Sequence, residues 1–228
     1  MKSGIKCRNL SVAFKTANGT KRMILDKLNA TFLHGKINLI FGNTGAGKST
    51  LLNTLSGLIR PSSGDVTVDD ETVSRWIGSH RDRWRRNVGI IFQHYHLLHD
   101  FTVFENVMLP LIPLGYSLSE CRRRSAETLQ KVALFHRAGS RVHTLSGGER
   151  QKTAMARALV TQPLFVFADE PTAHQDPENA RRMMDLLYGC AAGGAVVVIA
   201  THEKNLETGP GVPIRYRLEN GTLQPCDP

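Results

Sequence analysis

Ile37-Asn38-Leu39-Ile40-Phe41-Gly42-Asn43-Thr44-Gly45-Ala46-Gly47-Lys48-Ser49-Thr50 reads as a buried strand, a glycine-rich turn and the start of a helix, and it fits G-x-x-x-x-G-K-[ST] in full. Glycines let backbone approach phosphate oxygens closely, and successive N–H groups at a helix N-terminus make a cradle of partial positive charge. Lys48 adds a mobile full charge. The Ser49 hydroxyl suits Mg²⁺, a hard cation that takes oxygen ligands and is usually shared with substrate phosphates. The stretch from Gly42 to Thr50 is therefore expected to bind a nucleoside triphosphate, with Mg²⁺ as its companion ion.

Around this loop, 228 residues are enough to bury a sizeable core and suit one α/β domain with an insertion. A composition of 41% hydrophobic and 21% charged residues excludes disorder and fibres. The longest uncharged apolar stretch, Leu186 to Ala200, falls short of the roughly 20 residues of a membrane-spanning helix, and Gly189, Gly193 and Gly194 interrupt it. The first residues, Met-Lys-Ser-Gly-Ile-Lys-Cys-Arg, lack the apolar core of a signal peptide, so a cytoplasmic location is expected. Cys7, Cys121, Cys190 and Cys226 have neither zinc-site nor disulfide-framework spacing and are expected to be reduced thiols. The net charge of +9 is compatible with nucleic acid, an anionic surface or plain solubility. Its two clusters, Arg81 to Arg86 and Arg122 to Arg124, read as solvated faces.

Residues 5–14 and 23–33 alternate around the turn-rich Ala17 to Thr20, which predicts an antiparallel hairpin and so a sheet system that is not all parallel. Leu51, Leu52 and Leu55 give one helical face, with Gly57 as its stop. Val66 to Val68 and Val88 to Phe92 are expected strands, the second ending at Gln93. From about His94 to Arg157 helical signals take over, so residues 94–157 read as a helical subdomain inserted between core segments 1–93 and 158–228 of a single domain. Ser117-Leu118-Ser119-Glu120 and Ser146-Gly147-Gly148-Glu149 both match capping boxes, and Leu118, Leu129 and Val132 share one face of the helix after the first. Leu164 to Ala168 and Ala195 to Ala200 are continuous apolar runs of the kind found in strands covered on both faces. Each buried run is followed directly by polar residues, and open α/β sheets bind ligands beyond the carboxyl ends of their strands, so the chemistry is expected at one sheet edge.

Asp169 and Glu170 follow such a strand, and alternation of side chains lets neighbouring carboxylates face different tasks. Asp169 is assigned to Mg²⁺ and Glu170 to orienting or deprotonating an attacking water. His202, at the end of the neighbouring strand, is placed to contact the terminal phosphate or hold the water. In Leu145-Ser146-Gly147-Gly148-Glu149-Arg150-Gln151, two glycines in a first helical turn are poor helix formers, each costing up to about 1 kcal/mol relative to alanine in a helix interior. Bare N–H groups there make a second anion site.

This combination closely resembles the ATP-binding cassette superfamily from about residue 5 to 223, through the loop 42–49, Gln93, Leu145 to Gln151, the Walker B segment 164–170, Asp176 and His202 in order. The resemblance implies a P-loop NTPase core with a mixed central sheet, an N-terminal antiparallel β subdomain and an inserted α-helical subdomain. It implies ATP and Mg²⁺ as ligands, Phe14 stacked on adenine, and Gln93 contacting Mg²⁺ and water. Lys48, Gln93, Glu170 and His202 are then the catalytic set, Ser49, Gln93 and Asp169 the metal set, and Asp176 a further nucleotide contact. It also implies a head-to-tail dimer, with itself or a similar ATPase subunit, in which Ser146, Gly147 and Gly148 of one subunit close over ATP held by the other.

Phe92 to Leu111 looks most like the group of lipoprotein-release, macrolide-export and FtsE-type ATPases. Such cassettes work from the inner face of the cell membrane on an integral permease, here contacted near residues 94–112 and without nucleic acid. Leu97, Leu98, Phe101, Val103 and Phe104 are read as part core and part groove for a partner's helix, and His94, His96 and His99 as no metal site. Two departures from the family pattern are Ala173-His174-Gln175-Asp176, where a small residue or Asn and then Leu usually precede the Asp, and Glu203 for the usual Asp. The alternatives are a regulatory scaffold of the cell-division type and a cassette acting on ribosomes or DNA, the latter supported only by basic charge. Lys48→Ala is expected to abolish nucleotide binding; unchanged ATP affinity in a titration would refute the cradle.

Overall fold

The computed structural model describes residues 4–73, 79–173, 175–202 and 213–226, and shows two sheets with helices packed around them. The first sheet is antiparallel, in the order β2-β1-β4-β5, from β1 (Ile5–Lys15), β2 (Lys21–Phe32), β4 (Ser63–Val68) and the short β5 (Glu71–Thr72). The second, in the order β10-β9-β3-β8-β7-β6, is built from β3 (Ile37–Phe41), β6 (Val88–Ile91), β7 (Phe165–Asp169), β8 (Val196–Thr201), β9 (Ile214–Glu219) and β10 (Thr222–Cys226). Its strands pair in parallel except for the β9–β10 hairpin.

The central sheet divides the interior into two cores with period two. Leu39, Val166, Val197 and Ile199 face one core, while Ile40, Phe165, Phe167, Val196 and Val198 face the other. The first core is completed by α3 (Val103–Met108), α4 (Leu118–Lys131), α5 (Gly147–Leu159) and α6 (Pro177–Ala192), which supply Val107, Leu129, Met155 and Leu187. The second is closed by α1 (Lys48–Leu55) and the antiparallel sheet, through Leu51, Leu55, Ile5 and Phe32. Burial on both faces is what makes β7 and β8 unbroken apolar runs. The apolar stretch from Leu186 to Ala200 is the end of α6 and all but the last residue of β8, separated at Gly193 and Gly194.

Several local expectations change. The basic run 81–86 is exposed at Asp82, Arg83 and Arg86 as a solvated face would be, but not throughout: α2 (Ser79–Arg85) buries Trp84, its ring 4.5 Å from that of Phe165. Arg85 donates to Gly57 O at 2.9 Å, so the cluster is pinned at its middle. At α4 only half of the expected capping box forms. Ser117 Oγ accepts from Glu120 N, but Arg123 and Arg124 take the Glu120 carboxylate and hold its pKa down to about 2. Leu118 is 57% exposed, because it shares the angular position of Leu129 but stands about three turns away at the helix tip, beyond the core. The buried stripe is Cys121, Ser125 and Leu129. A box that went unread, Thr102 with Glu105, caps α3 in both directions.

Between β6 and β7 the described chain is helical, with short 3₁₀ turns at Leu109–Leu114, Phe135–Arg137 and Val142–Thr144 joining α3, α4 and α5. α5 packs against the edge strand β6 at Gly89, where an added Cβ would stand 2.4 Å from Ala158 O and 2.8 Å from Pro163 Cγ. Gly89→Ala is expected to lower unfolding free energy by about 1–3 kcal/mol through overpacking, measured by urea denaturation.

Candidate functional site

The loop between β3 and α1 is shaped by two of its glycines. A Cβ on Gly42 would lie 2.6 Å from Leu218 O on β9, so the strand leaves no room for a side chain. Gly47, at φ 102°, is the N-cap of α1 with no side-chain cap, and a Cβ there would press on Ile24 Cγ2 at 3.0 Å. An uncapped helix start leaves orphan N–H groups at the loop. Lys48 is buried and its Nζ donates to Gly42 O at 2.7 Å and Asn43 O at 3.3 Å, folding its charge into the loop.

Parallel pairing brings the other groups alongside. Phe41 is level with Thr201, and Asp169 with Ala200, so the chain leaving β3, β8 and β7 emerges at the same edge. Burial pushes the Asp169 carboxyl above its ordinary range, while a hydrogen bond with the Ser49 side chain and the charges of Lys48 and His94 oppose that rise. A buried carboxylate with incomplete compensation beside a hydroxyl is an oxygen donor set that fits a hard divalent cation. Glu170 is also buried; Thr201 Oγ1 donates to its Oε2 at 3.0 Å and His202 Nδ1 lies 2.8 Å from its Oε1. The His202 tautomer that pairs them carries its proton on Nδ1.

Phe14, Asn43, Thr44, Gly45, Gly47, Lys48, Ser49, Thr50, Gln93, Asp169, Glu170 and His202 line one cavity of about 560 Å³. Arg22 lines it too, opposite Phe14 across the β1–β2 pair, and went unread because its sequence neighbourhood carries no motif. Phe14 is 44% exposed, a ring left uncovered at the cavity mouth. Ala46 lies on the other side of the loop, in a polar cavity shared with Asn220 and Gly221. A larger cavity, about 680 Å³, opens between α4, α5 and α6, but it gathers none of these groups.

Ser146, Gly147, Gly148 and Asp176 do not line this cavity. Ser146 caps α5 in a complete box: its hydroxyl accepts from Glu149 N, and Glu149 Oε2 accepts from Ser146 N at 2.8 Å. That use leaves the serine O–H to donate elsewhere. Hydrogen bonds from Ser146 hold the Glu149 carboxyl below its usual range, helped by Arg137. Asp176 caps α6, accepting from Asn179 N at 2.9 Å. Its neighbour Gln175 reaches back, Nε2 standing 3.5 Å from Gly148 O. His174 and Glu203 lie outside the described residues.

A family profile described as ABC transporter matches residues 25–173. Among curated proteins, the chain is 37% identical over 203 residues to a methionine import ATP-binding protein, MetN, of Francisella tularensis, covering 89% of this chain and 58% of that protein. It is 35% identical over 204 residues to the lipoprotein-releasing system ATP-binding protein LolD of Idiomarina loihiensis, covering 89% of each. The chain spans about three fifths of the length of the longer relatives it matches. Among solved structures, the dimeric post-hydrolysis state of the ATP-binding cassette MJ0796 with ADP and Pi superposes with a TM-score of 0.89 at 30% identity, covering 96% of both chains. With the profile spanning well over half of its length and the loop, carboxylates and histidine gathered at one sheet edge, the chain belongs to the ABC transporter family as an ATP-binding cassette domain.

Proposed function

We propose that this cassette binds and hydrolyses Mg²⁺-ATP as one half of a head-to-tail pair, and passes closure of the pair to a membrane permease. The observation that carries this reading is the separation of its two phosphate-binding devices. The cradle, Gln93, Asp169, Glu170 and His202 share one cavity, whereas Ser146, Gly147 and Gly148 stand outside it with their cap complete. A second subunit would supply the missing wall. Subunits of MJ0796 are dimeric in their post-hydrolysis state, which supports the arrangement.

Within one site, Phe14 would stack on the base and the amides of Gly45, Gly47, Lys48, Ser49 and Thr50, with the Lys48 ammonium, would take the phosphates. Ser49, Gln93 and Asp169 would hold Mg²⁺, which supplies charge neutralisation along the phosphates when bound. Glu170, fixed by Thr201 and His202, is the group placed to accept a proton from the attacking water. With His202 Nδ1 engaged by Glu170, the ring's Nε2 is the atom to meet the terminal phosphate.

The partner face is read at residues 94–112. Leu97 and Val103 are buried and belong to the core, while Leu98 and Phe101 are 45% and 41% exposed. They follow Gln93 along the chain, so a permease segment seated there would sense the site through a short stretch. The near full-length match to LolD supports export or extraction, and MetN supplies the import comparison over 58% of its own length.

Glu170→Gln is expected to keep ATP affinity, lose about 10²–10⁴-fold in turnover, and accumulate as an ATP-bound dimer on size exclusion. Normal turnover by a pure sample would remove Glu170 as base. Leu98→Asp and Phe101→Asp are expected to fold and bind ATP yet fail to co-purify with the permease from detergent extracts; intact complexes would move the partner face elsewhere.

A further inference from the structure

We propose that Gln151 is a positioning residue for Glu170, tying the base of one site to the glycine turn that serves the other. The inference rests on the reading of Glu170 as base.

Glu170 stands in the left-handed region at φ 49°, where a side chain crowds its own backbone and surrounding bonds must hold the geometry. Those bonds are specific. Glu170 N donates to Ala200 O at 2.9 Å, and Ala173 N donates to Glu170 O at 3.2 Å. Gln151, only 1% exposed, donates from Nε2 to Glu170 O at 3.3 Å and to Pro171 O at 2.8 Å. One side-chain amide thus grips the base's own carbonyl and that of Pro171 after it, while Thr201 and His202 aim its carboxylate. Neither carbonyl is reached by the ladder of β7, which ends at Asp169.

Gln151 sits on α5 one turn past Gly147 and Gly148, so any shift of this helix is delivered to the peptides at Glu170 and Pro171. The same segment returns the contact. Gln175 covers Gly148 so closely that a Cβ there would lie 3.3 Å from Gln175 Nε2. The turn that meets a partner's nucleotide and the base that acts on the chain's own nucleotide are therefore held by two amides acting in opposite directions.

The test is steady-state ATPase, ATP binding and thermal unfolding of the full chain as wild type, Gln151→Met, which removes the donor at similar volume, and Gln151→Asn, which shortens its reach. Positioning predicts turnover down about 10- to 100-fold in both variants, with ATP affinity within twofold of wild type and folded population retained. If Gln151→Met does not fold, Gln151→Asn is decisive by the same measures. A folded variant with wild-type turnover overturns the role of Gln151 alone, as does a folded variant whose loss of turnover is matched by loss of ATP affinity, or failure of both variants to fold. A wild-type chain that does not hydrolyse Mg²⁺-ATP removes the base itself and both readings with it.

Discussion

The parallel register of β3, β8 and β7 is the constraint on which the rest depends. Because these strands run the same way and pair Phe41 with Thr201 and Asp169 with Ala200, each releases its polar continuation at one edge. The phosphate loop, the carboxylates and His202 are far apart in sequence yet meet around one cavity for that reason alone. An antiparallel neighbour at the same place would have put its residues at the opposite edge. Within the two sheets the antiparallel pairings lie in the separate first sheet and at β10 on the margin of the second.

The helix α5 is the second organising element, and its attachments are polar where they bear on the site. Arg157 donates to the carbonyls of Tyr95 and His96, both residues at positive φ in the stretch after Gln93. Burial lowers the Arg157 pKa, and those two carbonyls are what compensate its charge. Nearer the start of the same helix Gln151 holds the peptides after Glu170, and at its N-terminus Ser146 and Glu149 close the cap. One helix thus touches the segment after Gln93, the backbone at Glu170 and the glycine turn, while its apolar side, with Ala154, Met155 and Ala156, fills the core. Under the function proposed above, these contacts make α5 the route by which closure of a pair would reach both Glu170 and the surface at Leu98 and Phe101.

Much of this was legible in the residues. The strand, glycine turn and helix start at 37–50 occur as read, because a buried apolar run and an obligatory tight turn are local properties. The hairpin near the N-terminus and the apolar runs of β7 and β8 were equally local. What escaped reading depended on context. Trp84 in a basic run is buried because Phe165 offers it a partner ring, which no spacing announces. The Ser117 box is incomplete because two arginines compete for Glu120, and Leu118 points past the core because the helix outruns it. Arg22 enters the nucleotide cavity only through its pairing across from Phe14.

By itself, then, the sequence determined the chemistry available: glycines with a lysine for phosphates, paired carboxylates after a buried strand, and a second glycine turn poor in helix formers. Those are consequences of side-chain type and short-range spacing. Only the tertiary structure decided which groups meet. It gave Gly42 its reason in the passing carbonyl of Leu218, and set Thr201 and His202 on the carboxylate of Glu170. It also left Ser146 to Gly148 outside the cavity lined by Lys48 and Glu170. The physical reason is that strand register and helix packing bring together residues separated by up to about two hundred positions, and no local pattern encodes that distance.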